Sequence, residues 1–435
     1  MKNRKINIVT LGCSKNVVDS EKLLKQLQAG GYTVMHDSDV SSAETVIINT
    51  CGFINDAKEE SIDTILRFVK AKESGEIENL YVMGCLAERY REALEKKIPE
   101  VNRYFGVRNI GDILHEVGVK YRSNLATGRV ITGPGHYAYL KVSEGCDRTC
   151  AFCAIPTIRG KCISRPLDEL VKEAEELAGM GVKELILIAQ DLSYYGLDLY
   201  RSRKLPDLLA KLLRIDSFEW IRFHYLYPAD FPDKLIPMIR DNPRICKYID
   251  IPVQHISDRV LGMMKRSHGR KETEDILHRL RNEIPGAVIR TTLIAGHPGE
   301  TDDDYLELRE FVRNFRFDRL GVFAYSHEEE TFSYHNYKDD VPESVKESRV
   351  AELMEIQQGI SAELNKSLVG RIFKVVIDRR EDDFFAGRME FDSPEVDQEV
   401  LIPVEYDLSP GNFYDILIMQ AAEFDLFGKP PPPVS

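Results

Sequence analysis

Between Ile6 and Lys366 short apolar runs alternate with helical patterns, and after that the alternation stops. This order restricts the fold more than any other feature of the chain. Strands separated by helices join in parallel, because the crossover takes the length of a helix, and a parallel sheet then carries helices on its faces. In the first hundred residues "INIVTLGC", "ETVIINTC" and "NLYVMGC" read as buried strands, with helices over about 17–29, 56–72 and 86–97. They predict an open parallel α/β sheet.

From residue 138 six more strand candidates follow: "AYLKVSEGC", "ELILIAQD", "WIRFHYL", "YIDIPVQH", "VIRTTLIAG" and "RLGVFAYS". Helical patterns at 167–179, 205–214, 232–240, 271–283 and 302–314 separate them, and a long helix over about 343–366 closes the region. Six such units in one run favour a TIM-like (β/α) barrel, complete or partial, over a doubly wound sheet. The last seventy residues hold only short strands and charged turns, the pattern of a small antiparallel β-barrel. The expected organisation is an N-terminal α/β domain over 1–108, a linker over 109–131, a core barrel over 132–366 and a β-barrel over 367–430. A Pro-rich tail, 431–435, is expected to be disordered.

Size and composition permit this plan and exclude others. The 435 residues, 43% hydrophobic and 30% charged, are ordinary for a soluble globular chain with several cores. No stretch approaches the roughly 20 apolar residues that span a bilayer. "MKNRKINIVTLGC" runs from a basic start straight into a strand pattern and does not read as a signal peptide. The expectation is a cytoplasmic protein with no membrane partner. In that reducing compartment eight cysteines point to metal binding or redox chemistry before disulfides.

Three of them, Cys13, Cys51 and Cys85, end the three N-terminal strands. Ligands bind at that edge of an open parallel sheet. Three thiols from successive turns therefore converge and read as ligands. Three more, Cys146, Cys150 and Cys153, lie within "SEGCDRTCAFCAIP", just after a predicted strand. Three thiolates cannot close a tetrahedral zinc site, and neither a second CxxC pair nor the fourth cysteine of a ferredoxin follows. Thiolates are soft donors suited to iron–sulfur clusters. A 4Fe–4S cubane held by only three keeps one iron open for a substrate or cofactor. Cys162 and Cys246 lack partners at ligand spacing and read as structural.

The stretch "SEGCDRTCAFCAIPTIRGKCISRP" resembles the signature of radical S-adenosylmethionine (SAM) enzymes. "LGCSKNVVDSE", "NTCGFINDAKEESID" and "YVMGCLAERY" resemble the N-terminal domain of the methylthiotransferases, the MiaB and RimO group, and the final barrel resembles their TRAM domain. The likeness covers nearly the whole chain. It implies a sulfur-group transferase with two 4Fe–4S clusters. One, on Cys146, Cys150 and Cys153, would chelate SAM at its open iron; the other, on Cys13, Cys51 and Cys85, would present sulfur. SAM would serve as radical source and as methyl donor. An electron donor such as flavodoxin or ferredoxin, and a sulfur donor, are implied as partners.

Supporting residues follow from position. Phe152 is a candidate for contact with adenine or for plain packing, and Gln190 and Asp191 end the second barrel strand, where SAM-contacting groups are expected. "IAGHPGE", with Gly296 and Glu300, resembles the family's SAM-supporting loop, although a tight turn would look alike. Arg159 and Arg165 suit a carboxylate of SAM or substrate, or surface pairing. His224, His255 and His297 read as core histidines. No catalytic side chain is assigned.

Two branches of this group act on different substrates: an adenosine of tRNA, or the β-carbon of an aspartate in ribosomal protein S-twelve. Residues 364–435 hold seven basic against fourteen acidic residues, among them Glu381, Asp382 and Asp383. An RNA-binding barrel needs the opposite sign, whereas an acidic one suits a basic ribosomal protein. "QDLSYYG" and "HYLYP" also resemble the ribosomal-protein branch. Methylthiolation of that aspartate is therefore the expected activity, without direct binding of tRNA. The alternatives are a tRNA adenosine methylthiotransferase, a non-catalytic iron–sulfur electron carrier and a zinc-stabilised binding protein.

Overall fold

A computed structural model describes residues 5–38 and 43–432. The N-terminal sheet contains β1 (Lys5–Thr10), β2 (Thr33–His36), β3 (Thr45–Thr50), β4 (Asn79–Gly84) and β5 (Arg103–Tyr104). All neighbours are parallel, in the order β2-β1-β3-β4-β5. Strand alternation separates two apolar faces. Val46, Ile48, Leu80 and Val82 meet α2 (Asn55–Glu73) and α3 (Cys85–Lys97), while Ile47, Tyr81 and Met83 meet α1 (Ser14–Ala29) through Leu23, Leu24 and Leu27. The segment read from sequence as a linker carries α4 (Ile110–Glu116), whose Ile113 and Leu114 complete the α1 face. Seven residues are too short a helix for its period to stand out.

The centre is a partial barrel. β6 (Tyr137–Lys141) leads into a two-residue ladder of β7 (Ser143–Glu144) with β8 (Ile163–Ser164), which ties off the cysteine loop. β6 then pairs in parallel with β9 (Glu184–Ile188), and β9 with β10 (Trp220–Phe223). The second half is β11 (Tyr248–Asp250), β12 (Val288–Ala295) and β13 (Arg319–Ala324), joined to the first by a bridge between Ile221 and Ile245. Among the described residues β6 and β13 do not pair, so one side is open. The N-terminal domain fills that opening. Val18 of α1 packs on Tyr137, Tyr139, Ile186 and Ile188, and Asp19 pairs with Lys141. At the other rim Lys58 and Arg89 pair with Glu328, beyond β13.

A closed barrel of β14 (Ile372–Arg380), β15 (Phe384–Met389), β16 (Glu399–Pro403), β17 (Phe413–Ala421) and β18 (Asp425–Lys429) ends the chain. Four of these strands match sequence runs; β18, masked by its charges and a glycine, is the one that closes the barrel. It pairs antiparallel with β17 but parallel with β16, the single departure from an antiparallel barrel. The barrel seats on the N-terminal ends of the central strands. Trp220 meets Phe413 edge-on at 4.8 Å, Arg388 pairs with Glu184, and Arg319 pairs with Asp392, which is 0% exposed. Part of the acidic excess is therefore internal, matched by core arginines, and a sum over sequence overstates the outward field. Glu381, Asp382, Asp383, Glu405, Asp407 and Asp415 remain exposed. Residues 433–435 of the Pro-rich tail lie outside the described residues. No described helix is long and apolar enough to cross a membrane.

Candidate active site

Sheet order places the first cysteine triad. The strand sequence reverses between β1 and β3, and ligands bind at the carboxyl ends beside such a reversal. Cys13 caps the N-terminus of α1 just beyond β1, Cys51 directly follows β3, and Cys85 opens α3 after β4. Small neighbours make this approach possible. Gly12 has φ +88°, and a Cβ on it would lie 2.6 Å from the Cβ of Cys51. Gly145, next to Cys146, has φ +80°, and a Cβ there would strike the Lys161 carbonyl oxygen. Gly12–Cys13, Cys51–Gly52, Gly84–Cys85 and Gly145–Cys146 are all adjacent in the sequence, a signal that could have marked these sites.

One cavity of about 360 Å³ is lined by all six thiols, three from each domain. It lies at the C-terminal ends of the central strands, opposite the docked β-barrel. Phe152, Gln190 and Asp191 line it. Gly296 and Glu300 do not. Glu300 instead accepts the Gly296 N–H at 2.8 Å and pairs with Arg349 at 2.6 Å, bracing the loop from behind. A glycine-rich strand end shows that backbone comes close to something, not to what. Arg159 is neither surface-paired nor free. It is 2% exposed and donates to Glu144 at 2.7 Å, Asn16 at 2.6 Å and the Cys85 sulfur at 3.3 Å. Arg165 pairs with Glu173 away from the cavity. His224 and His255 are buried and hydrogen-bonded, and His297 packs between Tyr325 and Tyr337. Cys162 and Cys246 are buried outside the cavity.

Several lining residues escaped the sequence reading: Lys15, Arg148, Tyr225, Tyr227, Gln254, Arg266 and Thr292. Arg148 stands between Cys146 and Cys150, and motif membership alone could have flagged it. It binds Asp191 at 2.8 Å, and it and Arg266 both lie against the Tyr227 ring, 3.8 and 4.1 Å from its centroid. Arg266 also points a guanidinium nitrogen at the Cys150 sulfur, 3.6 Å away.

The thiols differ in their electrostatics. Burial pushes Cys85 and Cys153 up to about 12 and Cys146 up to about 11, and raises Cys51. Burial also acts on Cys13, but the charges of Lys15 and Arg159 and the N–H groups opening α1 outweigh it and bring the thiol below its usual value. Proton loss from Cys51, Cys85, Cys146 and Cys153 therefore depends on a metal that replaces the proton.

The donor set suits iron–sulfur clusters. Each triad offers three soft donors, and among the described residues no three His, Cys, Asp or Glu converge tightly enough to grip a single ion. The cavity also holds buried polar atoms without partners, Gln190 Oε1 and Arg148 Nη2. Such atoms suit a polar ligand beside the Cys146 triad. The residues fit 4Fe–4S clusters and SAM.

Comparisons with known proteins agree with this geometry. Residues 5–106 match an uncharacterized protein family, UPF0004; residues 140–312 match the radical SAM superfamily, and 369–430 match the TRAM domain. In fold the chain is similar to TsrM, a radical S-adenosylmethionine methyltransferase from Kitasatospora setae solved with cobalamin and a 4Fe–4S cluster. The TM-score is 0.53 at 14% identity, over 74% of this chain and 75% of that one. It is also similar to OxsB, a cobalamin-dependent S-adenosylmethionine radical enzyme, with a TM-score of 0.51 at 13% identity, over 82% of this chain and 56% of that one. At such identities the likeness is one of fold. Fold and site together define a radical SAM enzyme with an added N-terminal α/β domain and a TRAM barrel.

Sequence relatives narrow this further. Proteins named ribosomal protein uS12 methylthiotransferase RimO, from Parabacteroides distasonis and Phocaeicola vulgatus, are each 52% identical to this chain. The matches cover 99% of it and 99% and 100% of those proteins. The chain belongs to the RimO-type methylthiotransferases, enzymes that use SAM and 4Fe–4S clusters.

Proposed function

We propose that this enzyme methylthiolates the β-carbon of an aspartate in ribosomal protein uS12. Besides the kinship, one observation carries the reading: two thiol triads from two domains line a single cavity. A carbon activated at one can take sulfur at the other without leaving. Cys146, Cys150 and Cys153 would hold the cluster that binds SAM, and Cys13, Cys51 and Cys85 the cluster that presents sulfur. When bound, these groups supply one-electron cleavage of SAM, removal of an unactivated hydrogen, a sulfur atom and a methyl group.

The chain's own residues position and enclose. Phe152, Gln190 and Asp191 would face SAM, with Asp191 holding Arg148 against Tyr227 to make a stiff wall. Arg159 ties the cysteine loop, through Glu144, to Asn16 and Cys85 of the other domain. It thereby fixes the spacing of the two triads, which the reaction needs to within a fraction of an ångström. Closure of the barrel's open side by α1 excludes water from a radical site. The exposed acidic residues of the final barrel would steer a basic ribosomal protein and repel RNA. The work would take place in the cytoplasm, with a flavodoxin- or ferredoxin-like electron donor and a separate sulfur source.

The test incubates anaerobically reconstituted enzyme with SAM, a reductant and either uS12 or tRNA. Mass spectrometry should find one methylthio group on a single aspartate of uS12. A gain on tRNA alone would transfer the chain to the other branch.

A further inference from the structure

The residues lining the cavity include four cations, Lys15, Arg148, Arg159 and Arg266, and a single carboxylate, Asp191. Three of the cations are engaged. Arg148 holds Asp191, Arg159 holds Glu144 and Asn16, and Arg266 donates to the Pro252 carbonyl at 2.7 Å. Lys15 is held more loosely. It is 7% exposed, and among the described residues it has no carboxylate within ion-pair distance; Cys13 and Asp250 act on it only through longer-range charge. It rests on the face of Tyr225, 3.4 Å from the ring centroid. An ammonium resting on an aromatic face keeps its N–H donors for a further partner.

Its platform is itself held in place. Tyr225 is a non-glycine residue at φ +65°, and its N–H is fixed by the Asp250 carboxylate at 3.0 Å. Backbone strain of this kind persists where the surroundings enforce it, often at functional sites. A strained tyrosine thus positions a cation that has no carboxylate in direct contact among the described residues, Asp250 acting on it at longer range.

We infer that Lys15 binds the side-chain carboxylate of the substrate and so selects an aspartate. This rests on the uS12 reading above. Lys15 follows Cys13 by two residues on α1, so its ammonium stands on the sulfur-donating side of the cavity. In aspartate the carboxylate is bonded directly to the β-carbon. Anchoring the carboxylate at Lys15 would hold that carbon inside the cavity that both triads line. The carboxylate of SAM is the other source of the same chemistry. For that carboxylate the cavity offers another unpartnered donor, Arg148 Nη2, on the loop of the Cys146 triad; Gln190 Oε1 is an acceptor and suits an ammonium instead. An adenine base offers Lys15 no negative charge at all.

The test compares a uS12 peptide carrying the target aspartate with one carrying asparagine there, of the same shape but neutral. Wild-type, Lys15→Gln and Lys15→Arg holoenzymes are measured for peptide affinity, methylthiolation and 5′-deoxyadenosine formation. Wild type should prefer the aspartate peptide by roughly 10- to 100-fold, the range for a hydrogen bond to a charged group. Lys15→Gln should bring that ratio near one while still cleaving SAM, and Lys15→Arg should keep most of it. Equal use of both peptides by wild type overturns the inference whatever the variants do. So does a Lys15→Gln enzyme that keeps the preference. Loss of SAM cleavage with the preference intact would assign the ammonium to the carboxylate of SAM. Wild type that modifies neither peptide would instead overturn the uS12 reading, and this role with it.

Discussion

At the N-terminal ends of the six central strands, Arg222 and Arg388 share the Glu184 carboxylate and Arg319 pairs with Asp392. At the C-terminal ends Lys15, Arg148, Arg159 and Arg266 surround a cavity with one carboxylate and six thiols. Both ends bury charge, and the difference lies in the matching. Where each guanidinium meets a carboxylate, the end is scaffold, and the β-barrel docks on it. Where cations, thiols and amide oxygens outnumber their partners, the structure is complete only with what it binds.

Cys150→Ala attacks the unmatched end and should have the largest effect. Formation of 5′-deoxyadenosine should disappear while circular dichroism and the melting temperature barely change. A variant that cleaves SAM at the wild-type rate would remove the Cys146 triad from the chemistry. Glu184→Ala attacks the matched end and should reverse the pattern. It leaves two buried guanidiniums without their shared partner, a loss of about 3–5 kcal/mol. The melting temperature should fall, with SAM cleavage per folded molecule retained; an unchanged melting temperature would refute the scaffold assignment.

A subtler change sharpens the comparison within the cavity. Gly12→Ala forces a Cβ against Cys51 in a backbone conformation that alanine resists. Bound iron should fall by roughly half, from two cubanes to one. SAM cleavage should survive and methylthiolation should not. Equal loss from both triads, read from iron content and electron paramagnetic resonance, would show that the two sites are not separately built.

The smallest effect concerns pH. Burial would raise the Asp378 carboxyl, but Arg388 and His136 outweigh it and hold the group below 3.8. A carboxyl lowered on folding stabilises the protein above its unfolded value, and that stabilisation is lost as pH falls through the folded value. Wild type should therefore be more stable than Asp378→Asn at neutral pH, with the gap narrowing below 3.8. Acid titration of the melting temperature checks this, and a gap that stays constant would contradict it.

Much of the site could be read from sequence because its signals are local. Each cysteine follows a strand or sits in a tight motif, and strand ends converge by the geometry of parallel sheets. Residues whose meaning depends on direction were harder. Gly296 and Glu300 occupy the expected strand end, yet Glu300 turns to Arg349 rather than to the cavity. Lys15 escaped the sequence reading, because nothing local distinguishes one charge on a helix. The acidic excess of the last domain was correct as a count but not as a field, because Asp392 and its neighbours face inward. A count carries no orientation.

The sequence alone determined three regions, the parallel sheets, six metal-binding candidates and the kind of chemistry they suit. Periodicity and spacing are properties of the chain over a few residues, and strand and helix geometry convert them directly into structure. Only the tertiary structure decided that the two triads share one cavity, that Arg159 reaches Cys85 across 74 positions and that Arg388 reaches Glu184 across 204. Such contacts depend on how whole domains pack, and packing follows the sum of many buried surfaces rather than any local pattern. The same packing set the Lys15 ammonium on the face of Tyr225, with no carboxylate against it among the described residues.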